Sequence, residues 1–178
     1  DINNDGYNAV QLGRDKDALK ALWVQLKMNG ALAEGIGIRE MPEEWFESID
    51  GKNDNPMITS IKVFYCNRLM EMHKFEQTKE EIKKVLESNM VLVGVYRYLL
   101  ICDYIYCELI DGNIIEAEEF YTKDLQKFMK SMKKFPAILR TKYTYELLHN
   151  KDSKQAEKLR TLFNIMLSLI HISEPTRP

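Results

Sequence analysis

Apolar and polar residues alternate along this chain with helical rather than strand-like periodicity, and the most apolar stretch covers residues 90–110. Its apolar residues recur at helical spacing, and further apolar residues flank this stripe on both sides. The pattern predicts a helix that is apolar around nearly its whole circumference. Residues 111–113, Asp-Gly-Asn, predict a turn, and residues 114–130 predict a second, amphipathic helix with an acidic start and a basic end. The apolar stripe of the first helix is Val91, Val95, Leu99, Cys102, Ile105, Tyr106 and Leu109, and that of the second is Ile115, Phe120, Leu125, Phe128 and Met129.

The first of these helices is also long enough to match a membrane span, which takes about 20 apolar residues. Arg97, Asp103 and Glu108 lie within it. Each charge near the centre of a bilayer costs roughly 2.5–3.5 kcal/mol, so three of them make insertion unfavourable. We therefore expect this segment to be the central helix of a water-soluble bundle.

The N-terminal part of the chain predicts shorter and less regular helices. Asp15 is placed to cap a helix that ends near residues 34–37, and Pro42 is placed in the first turn of a short helix. Residues 48–56 are polar and rich in turn formers, which predicts an exposed loop. The apolar residues that give the first of these helices its periodicity are Leu19, Leu22, Trp23 and Leu26.

The C-terminal two thirds of the chain repeat a pattern of an apolar helix, a turn and a charged amphipathic helix. Turns at His73, Asp111 and His149 lie 38 residues apart, since 111 − 73 = 38 and 149 − 111 = 38. A small residue, Ala117 or Ala156, stands near the start of the second helix of a pair. A period in the thirties with two helices per unit resembles that of tetratricopeptide repeat proteins.

This resemblance implies an all-α fold in which helical hairpins stack into a right-handed array. We expect about eight helices and no sheet, with the repeats over residues 57–166 and a less regular helical segment over residues 1–50. The groove of such an array binds extended peptides or helices, so a peptide or protein partner is expected.

The composition of the chain restricts the classes of function that it can have. With 178 residues and 45% hydrophobic content the chain is long enough to bury a core, and its net charge of -2 does not favour a nucleic-acid partner. Cys66, Cys102 and Cys107 lack metal-type spacing, which favours buried reduced thiols and a cytoplasmic surrounding. The chain begins at Asp1 without an initiator Met, so we expect an upstream part of the protein to precede it.

Motifs for catalysis do not occur in the sequence, which has no His-Glu-x-x-His, paired-cysteine, glycine-rich phosphate or serine-elbow motif. His73 and His149 occupy equivalent repeat turns and are candidates for a ligand pair, although polar surface residues are expected at such turns anyway. Lys130, Lys133 and Lys134 form a basic cluster, which suits either a helix C-terminus or contact with phosphate or lipid.

One short motif does indicate a metal. Residues 4–8, Asn-Asp-Gly-Tyr-Asn, resemble the Asp-Gly segment of bacterial site-2-type zinc metallopeptidases, and residues 20–27 and 41–46 resemble the region that follows it in clostridial-type members. The resemblance implies that Asp5 is a zinc ligand, with the His ligands and the water-activating Glu in an upstream part of the protein. By its position alone, Asp5 is also suited to cap a short helix over residues 7–12.

The last residues of the chain carry a second resemblance. Residues 167–177, Leu-Ser-Leu-Ile-His-Ile-Ser-Glu-Pro-Thr-Arg, resemble the in-frame translation of a transposase adapter used in DNA library preparation. We therefore expect residues 167–178 to be non-native, which removes His171 from the candidate ligands. Natural sequence would then end near Met166, within a helix.

Two functions from different classes follow. In the first, the chain is the non-catalytic C-terminal helical-repeat region of a membrane-bound site-2-type zinc metallopeptidase, lies on the cytoplasmic side and serves in binding or regulation. Zinc would then belong to the intact parent, and no cofactor is expected for this chain alone. In the second, the chain is a free-standing cytoplasmic protein–protein interaction module without enzymatic activity.

Overall fold

The computed structural model describes residues 15–47, 55–88 and 90–173, with side chains up to residue 165, and all secondary structure in these residues is helical. The predicted all-α class and the expected number of about eight helices are confirmed. The α-helices are α1 (Lys16–Ala33), α2 (Pro56–Glu71), α3 (Phe75–Glu87), α4 (Gly94–Ile110), α5 (Ile114–Phe120), α6 (Lys123–Ser131), α7 (Pro136–Thr144) and α8 (Ser153–Ser173). The shorter elements are two 3-10 turns, Ile38–Glu40 and Glu43–Trp45, and one π-helical turn, Tyr145–His149.

Helices begin where a side chain replaces the backbone acceptors that the first turn lacks. The Asp15 carboxylate accepts hydrogen bonds from two N–H groups of α1 at 3.0 and 3.2 Å, so its predicted capping role is confirmed. The Asn55 side chain accepts a hydrogen bond from the N–H two residues on at 2.9 Å, and Pro56 lies in the first turn of α2. Pro56 thus belongs to α2 rather than to the predicted loop, of which residues 48–54 lie outside the described part of the chain.

The described residues up to 96 form one compact unit, in which α1 packs on α2 and α2 packs on α3. Our prediction of the buried face of α1 is wrong, because the side chains of Leu19, Trp23 and Leu26 are 41%, 60% and 55% exposed. The side of α1 that carries its alanines and Met28 faces the core, and Leu19, Trp23 and Leu26 face outward. The buried residues of α1 are Ala18, Ala21, Met28 and Ala31.

The segment after α1 forms two 3-10 turns instead of the short helix predicted at Pro42. Phe46, at its end, is buried against Met28 and Met41, and the guanidinium of Arg68 lies 4.6 Å from the centre of its ring. The aromatic side chain thus joins this irregular segment to both α1 and α2.

The described residues from 97 onward form the second compact unit, whose core is built around α4. The helix contributes Cys102, Ile105 and Leu109, which are almost completely buried. Its partners in the core are Ala117, Leu125, Met129, Ile138 and Tyr145. No helix among the described residues is both long enough and apolar enough to cross a membrane.

The amphipathic helix predicted over residues 114–130 is divided into α5 and α6. The backbone of Thr122 is extended, and its hydroxyl accepts a hydrogen bond from the N–H of Leu125 at 3.3 Å, which caps α6. Ile115 does not face the core as predicted: it is 77% exposed, and Ala117 is the buried residue of α5. The predicted start of the preceding helix near residue 90 is also wrong, since α4 begins at Gly94.

A helical hairpin recurs three times along the chain, as α2–α3, α4–α5 and α7–α8. The turn of each contains a residue with positive φ: His73 at 55°, Gly112 at 81° and Lys151 at 54°. These residues lie 39 apart, since 112 − 73 = 39 and 151 − 112 = 39, and each second helix starts two residues later. The predicted turns are confirmed, but the repeat is 39 rather than 38 residues, because the residues with positive φ in the second and third turns are Gly112 and Lys151 rather than Asp111 and His149. Stacking of the hairpins into an array stays a prediction.

The expected small residue in the second helix of each hairpin is also present. Ala117 and Ala156 are 0% and 2% exposed. Thr78 occupies the equivalent position of α3, is 0% exposed, and donates a hydrogen bond from its hydroxyl to the carbonyl of Lys74 at 2.9 Å. The three positions are again 39 residues apart, since 117 − 78 = 39 and 156 − 117 = 39.

Candidate binding groove

The candidate metal ligands singled out from the sequence are Asp5, His73 and His149. Asp5, the predicted zinc ligand, lies outside the described residues. His73 lies in the turn after α2 beside the ring of Phe75, whereas His149 ends the π-helical turn of the other compact unit. Within the described residues no group of three or more His, Cys, Asp or Glu side chains is arranged to hold a metal ion.

A groove of about 410 Å³ lies between α7, α8 and the turn that joins α6 to α7. We call it the α7–α8 groove. Its floor is aliphatic and its rim is basic, because every charged side chain that lines it is a lysine. The lining residues are Lys133, Lys134, Leu139, Lys142, Leu159, Leu162 and Ile165.

The aliphatic floor comes mostly from one row on α8. Leu159, Leu162 and Ile165 are spaced three residues apart, so they lie along one side of the helix. Leu159 is almost buried, and Leu162 and Ile165 are each 51% exposed. Ala156, one turn before this row, is buried where α8 packs on α7, which places the exposed end of the row beside the groove.

The lysines of the rim come from two places. Lys133 and Lys134 are exposed in the turn after α6, next to the predicted basic residue Lys130 in the last turn of that helix. Lys142 extends from α7 and donates a hydrogen bond to the backbone carbonyl of Met129 at 3.4 Å. Burial lowers the pKa of Lys142, and the nearby charge of Lys130 adds to this effect. The sequence indicated the cluster of Lys130, Lys133 and Lys134 but not the contribution of Lys142, which only the packing of α7 brings near.

The rim lysines form no close ion pairs, although the charge of Glu146 acts favourably on Lys142. In the described part of the chain, no ion pair joins Lys133, Lys134 or Lys142 to a carboxylate. Among the other lysines of this unit, Lys127 of α6 pairs with Asp124 at 3.2 Å, whereas Lys154 and Lys158 of α8 resemble the rim lysines in having no ion pair within the described residues. The rim therefore carries a positive potential that is available to an anionic ligand.

The position of α7, and with it the groove, depends on a buried polar contact with α4. The Arg140 guanidinium donates a hydrogen bond to the Asp103 carboxylate at 2.5 Å and lies 4.5 Å from the centre of the Tyr106 ring. Burial raises the pKa of Asp103, and the positive charge of Arg140 opposes that rise. The hydroxyl of Thr141 donates to the carbonyl of Cys102 at 2.9 Å, which adds a second tie between the two helices.

The other end of α7 is held by a stack of three rings. Tyr121 stacks on Tyr145 with 3.9 Å between ring centres, and Tyr145 stacks on His149 at 4.3 Å. The Nε2 atom of His149 lies 3.0 Å from the Glu118 carboxylate, and its Nδ1 atom lies 2.8 Å from the side-chain oxygen of Asn150. The bond to Asn150 and then the Glu118 carboxylate raise the pKa of His149. A π-helical turn is a frequent feature of functional sites, and here it supplies two of the stacked rings.

Two further hollows lie nearby in the same unit. One, of about 420 Å³, is lined by residues 131–136 and shares Lys133 and Lys134 with the α7–α8 groove. The other, of about 250 Å³, is lined by Leu139, Arg140, Tyr143, Arg160 and Phe163. The shared lysines make the first hollow an extension of the groove.

The Cys102 thiol of this unit is poorly suited to nucleophilic attack. Burial raises the pKa of the Cys102 thiol to about 12, so the thiol stays protonated and is a poor nucleophile. All three cysteines are buried and free, as expected from the sequence. The groove combines an apolar floor with polar groups at its edge, which is the usual arrangement of a ligand or peptide site.

Comparison with known proteins gives no match among protein-family models, curated proteins or solved structures.

Proposed function

We propose that this chain is a non-catalytic helical-repeat region that binds a peptide or protein partner in the α7–α8 groove. The observation that carries the proposal is the open aliphatic row of α8 beside three lysines that lack carboxylate partners in the described residues. Leu162 and Ile165 are each 51% exposed, and their burial by a partner would supply the apolar part of the binding free energy.

At the level of the whole protein, we propose that this region follows the catalytic part of a membrane-bound site-2-type zinc metallopeptidase and lies on the cytoplasmic side. The support is the resemblance around Asp5-Gly6, where the intact parent would hold zinc through Asp5 together with upstream residues. The alternative is a free-standing cytoplasmic interaction module. The repeated hairpin supports either form equally.

The genomic reading frame on both sides of this sequence separates the two forms. The peptidase form requires upstream apolar spans of about 20 residues and a His-Glu-x-x-His motif. A start codon close to Asp1, preceded by no such segment, would overturn that form and leave the free-standing module.

Binding itself is tested by selecting peptides from a random phage-displayed library on the immobilised chain. We expect the selected peptides to compete with one another for one site. We also expect that the chain does not detectably hydrolyse them. If no peptide is enriched over an unrelated helical protein, the proposed binding function is wrong.

A further inference from the structure

The chemical character of the α7–α8 groove restricts what kind of partner fits it. Its only charged lining residues are Lys133, Lys134 and Lys142, and the adjoining hollow over residues 131–136 adds no carboxylate. A partner that brings lysine or arginine to this rim would meet like charge without compensation. A partner that brings aspartate or glutamate would gain ion pairs at the edge of the interface.

The shape of the floor favours a helix. The row Leu159, Leu162, Ile165 spans about 9 Å along α8, at 1.5 Å per residue. Rows with spacing of three residues are ridges between which the side chains of a second helix insert when two helices pack. A bound helix with apolar side chains three and four residues apart would place them against this row and would reach Leu139 at the bottom of the groove.

We infer that the α7–α8 groove binds an acidic amphipathic helix of a partner protein. The apolar face of that helix covers Leu162 and Ile165, and its carboxylates pair with Lys133 and Lys134 at the rim. The inference rests on the proposed binding function and adds the class of partner. The lysine ends remain exposed enough to meet carboxylates without the cost of full burial, so they contribute mainly to selectivity and to the rate of association.

The test uses the full chain and a fluorescein-labelled synthetic peptide of about 16 residues, long enough to form a helix on binding. The peptide carries Leu on one helical face and Glu on the other positions, and a matched peptide carries Lys in place of every Glu. Fluorescence anisotropy gives the dissociation constant of each. We expect the acidic peptide to bind at least about tenfold more tightly than the basic one, and to weaken as salt is added.

Two charge-reversed variants locate the site. K133E/K134E removes the exposed lysines of the rim, and we expect it to weaken binding of the acidic peptide about tenfold or more and to favour the basic peptide. K154E/K158E is the matched control, because both residues are exposed on α8 and neither lines the groove. Circular dichroism of each variant verifies that the helices are retained. Equal loss in both variants, or no loss in K133E/K134E, would overturn the inference.

Other occupants give different results. Vesicles of phosphatidylcholine with and without phosphatidylserine test a membrane surface, and binding of the anionic vesicles without binding of the acidic peptide would overturn the inference. Analytical sedimentation tests a second copy of the chain as the occupant. A dimer that the L162D variant no longer forms would assign the groove to that second copy and would also overturn the inference.

The library selection separates this inference from the proposed function. Selected peptides that are basic, or that still bind K133E/K134E and L162D, would overturn the acidic-helix partner and leave the binding function intact. Enrichment of acidic and leucine-rich peptides that K133E/K134E no longer binds would support both.

Discussion

Ile105 and Ile115 are the same residue type on consecutive helices, but the first is completely buried and the second is 77% exposed. Ile105 lies in the core cluster with Cys102 and Leu109. Ile105→Ala should therefore lower the free energy of unfolding by about 2–5 kcal/mol, from lost burial and the cavity left behind. Ile115→Ala is the matched control and should change it by less than about 0.5 kcal/mol. Urea denaturation measures both, and equal effects would contradict the placement of the two side chains.

His149 makes the stability of its unit depend on pH. Its bonds to Asn150 and Glu118 raise its pKa in the folded chain above the ordinary value of 6.5. The protonated ring therefore contributes stability that is fully present below that ordinary pKa and is lost as the pH rises through the folded-state pKa. Because Glu118 is 57% exposed, solvent screens the pair and the contribution should stay below about 1 kcal/mol.

The measurement is urea denaturation of the wild type and His149→Gln at about pH 5.5 and about pH 8.5, on either side of the titration. His149→Gln should cost more at the lower pH, because only there does it remove a charged ring. The loss of the ring contact with Tyr145 contributes to the cost at both pH values. His73→Gln, at a turn of the other unit, is the control, and an equal cost of His149→Gln at both pH values would refute the linkage.

At the scale of the helical elements, the turn between α4 and α5 depends on Gly112. Its φ of 81° lies in the left-handed region, and its N–H donates to the carbonyl of Leu109 at 3.2 Å. A Cβ added there meets no atom within 4 Å, so Gly112→Ala carries only the conformational cost, roughly 1–2 kcal/mol. Gly30→Ala is the opposite control, because Gly30 lies within α1 with open space around it and alanine should stabilise that helix by about 0.5–1 kcal/mol. Thermal denaturation measures the change in stability of both variants. A change of the same sign in both would contradict this assignment.

The periodicity of the sequence was sufficient to predict which segments are helical and where the hairpin turns lie. It was not sufficient to predict which face of α1 is buried, because Leu19 and Trp23 are more hydrophobic than alanine but face outward. It also missed the break at Thr122, where one hydroxyl cap outweighs a continuous amphipathic pattern. In each case the deciding interaction is a contact or a cap, which periodicity does not encode.

The candidate groove was only partly predictable for the same reason. The cluster of Lys130, Lys133 and Lys134 is visible in the sequence, and so is the spacing of Leu159 and Leu162. Nothing local places them beside one another. Their proximity depends on α7, which is held by the contact of Arg140 with Asp103, 37 residues earlier in the chain. The predicted zinc ligand Asp5 stays a prediction, since it lies outside the described residues.

At the scale of the whole molecule, the 39-residue repeat predicts that one small buried side chain has the same packing role in all three hairpins. Thr78, Ala117 and Ala156 are each buried near the start of the second helix of a hairpin, where a small side chain lets that helix approach the first. Replacement by leucine adds volume to a close-packed contact and should cost about 1–3 kcal/mol at each position. Urea denaturation of Thr78→Leu, Ala117→Leu and Ala156→Leu measures the three costs.

The repeat also supplies matched controls two residues further along each helix. Glu80, Glu119 and Lys158 are exposed and have the same spacing, since 119 − 80 = 39 and 158 − 119 = 39. Leucine at these positions should change the free energy of unfolding by no more than about 0.5 kcal/mol, because the added side chain projects into water. If all three buried positions are sensitive and all three controls are not, one packing rule holds for every hairpin in this chain. Sensitivity at only one of the buried positions would mean that the shared spacing reflects turn geometry alone, and that each hairpin packs in its own way.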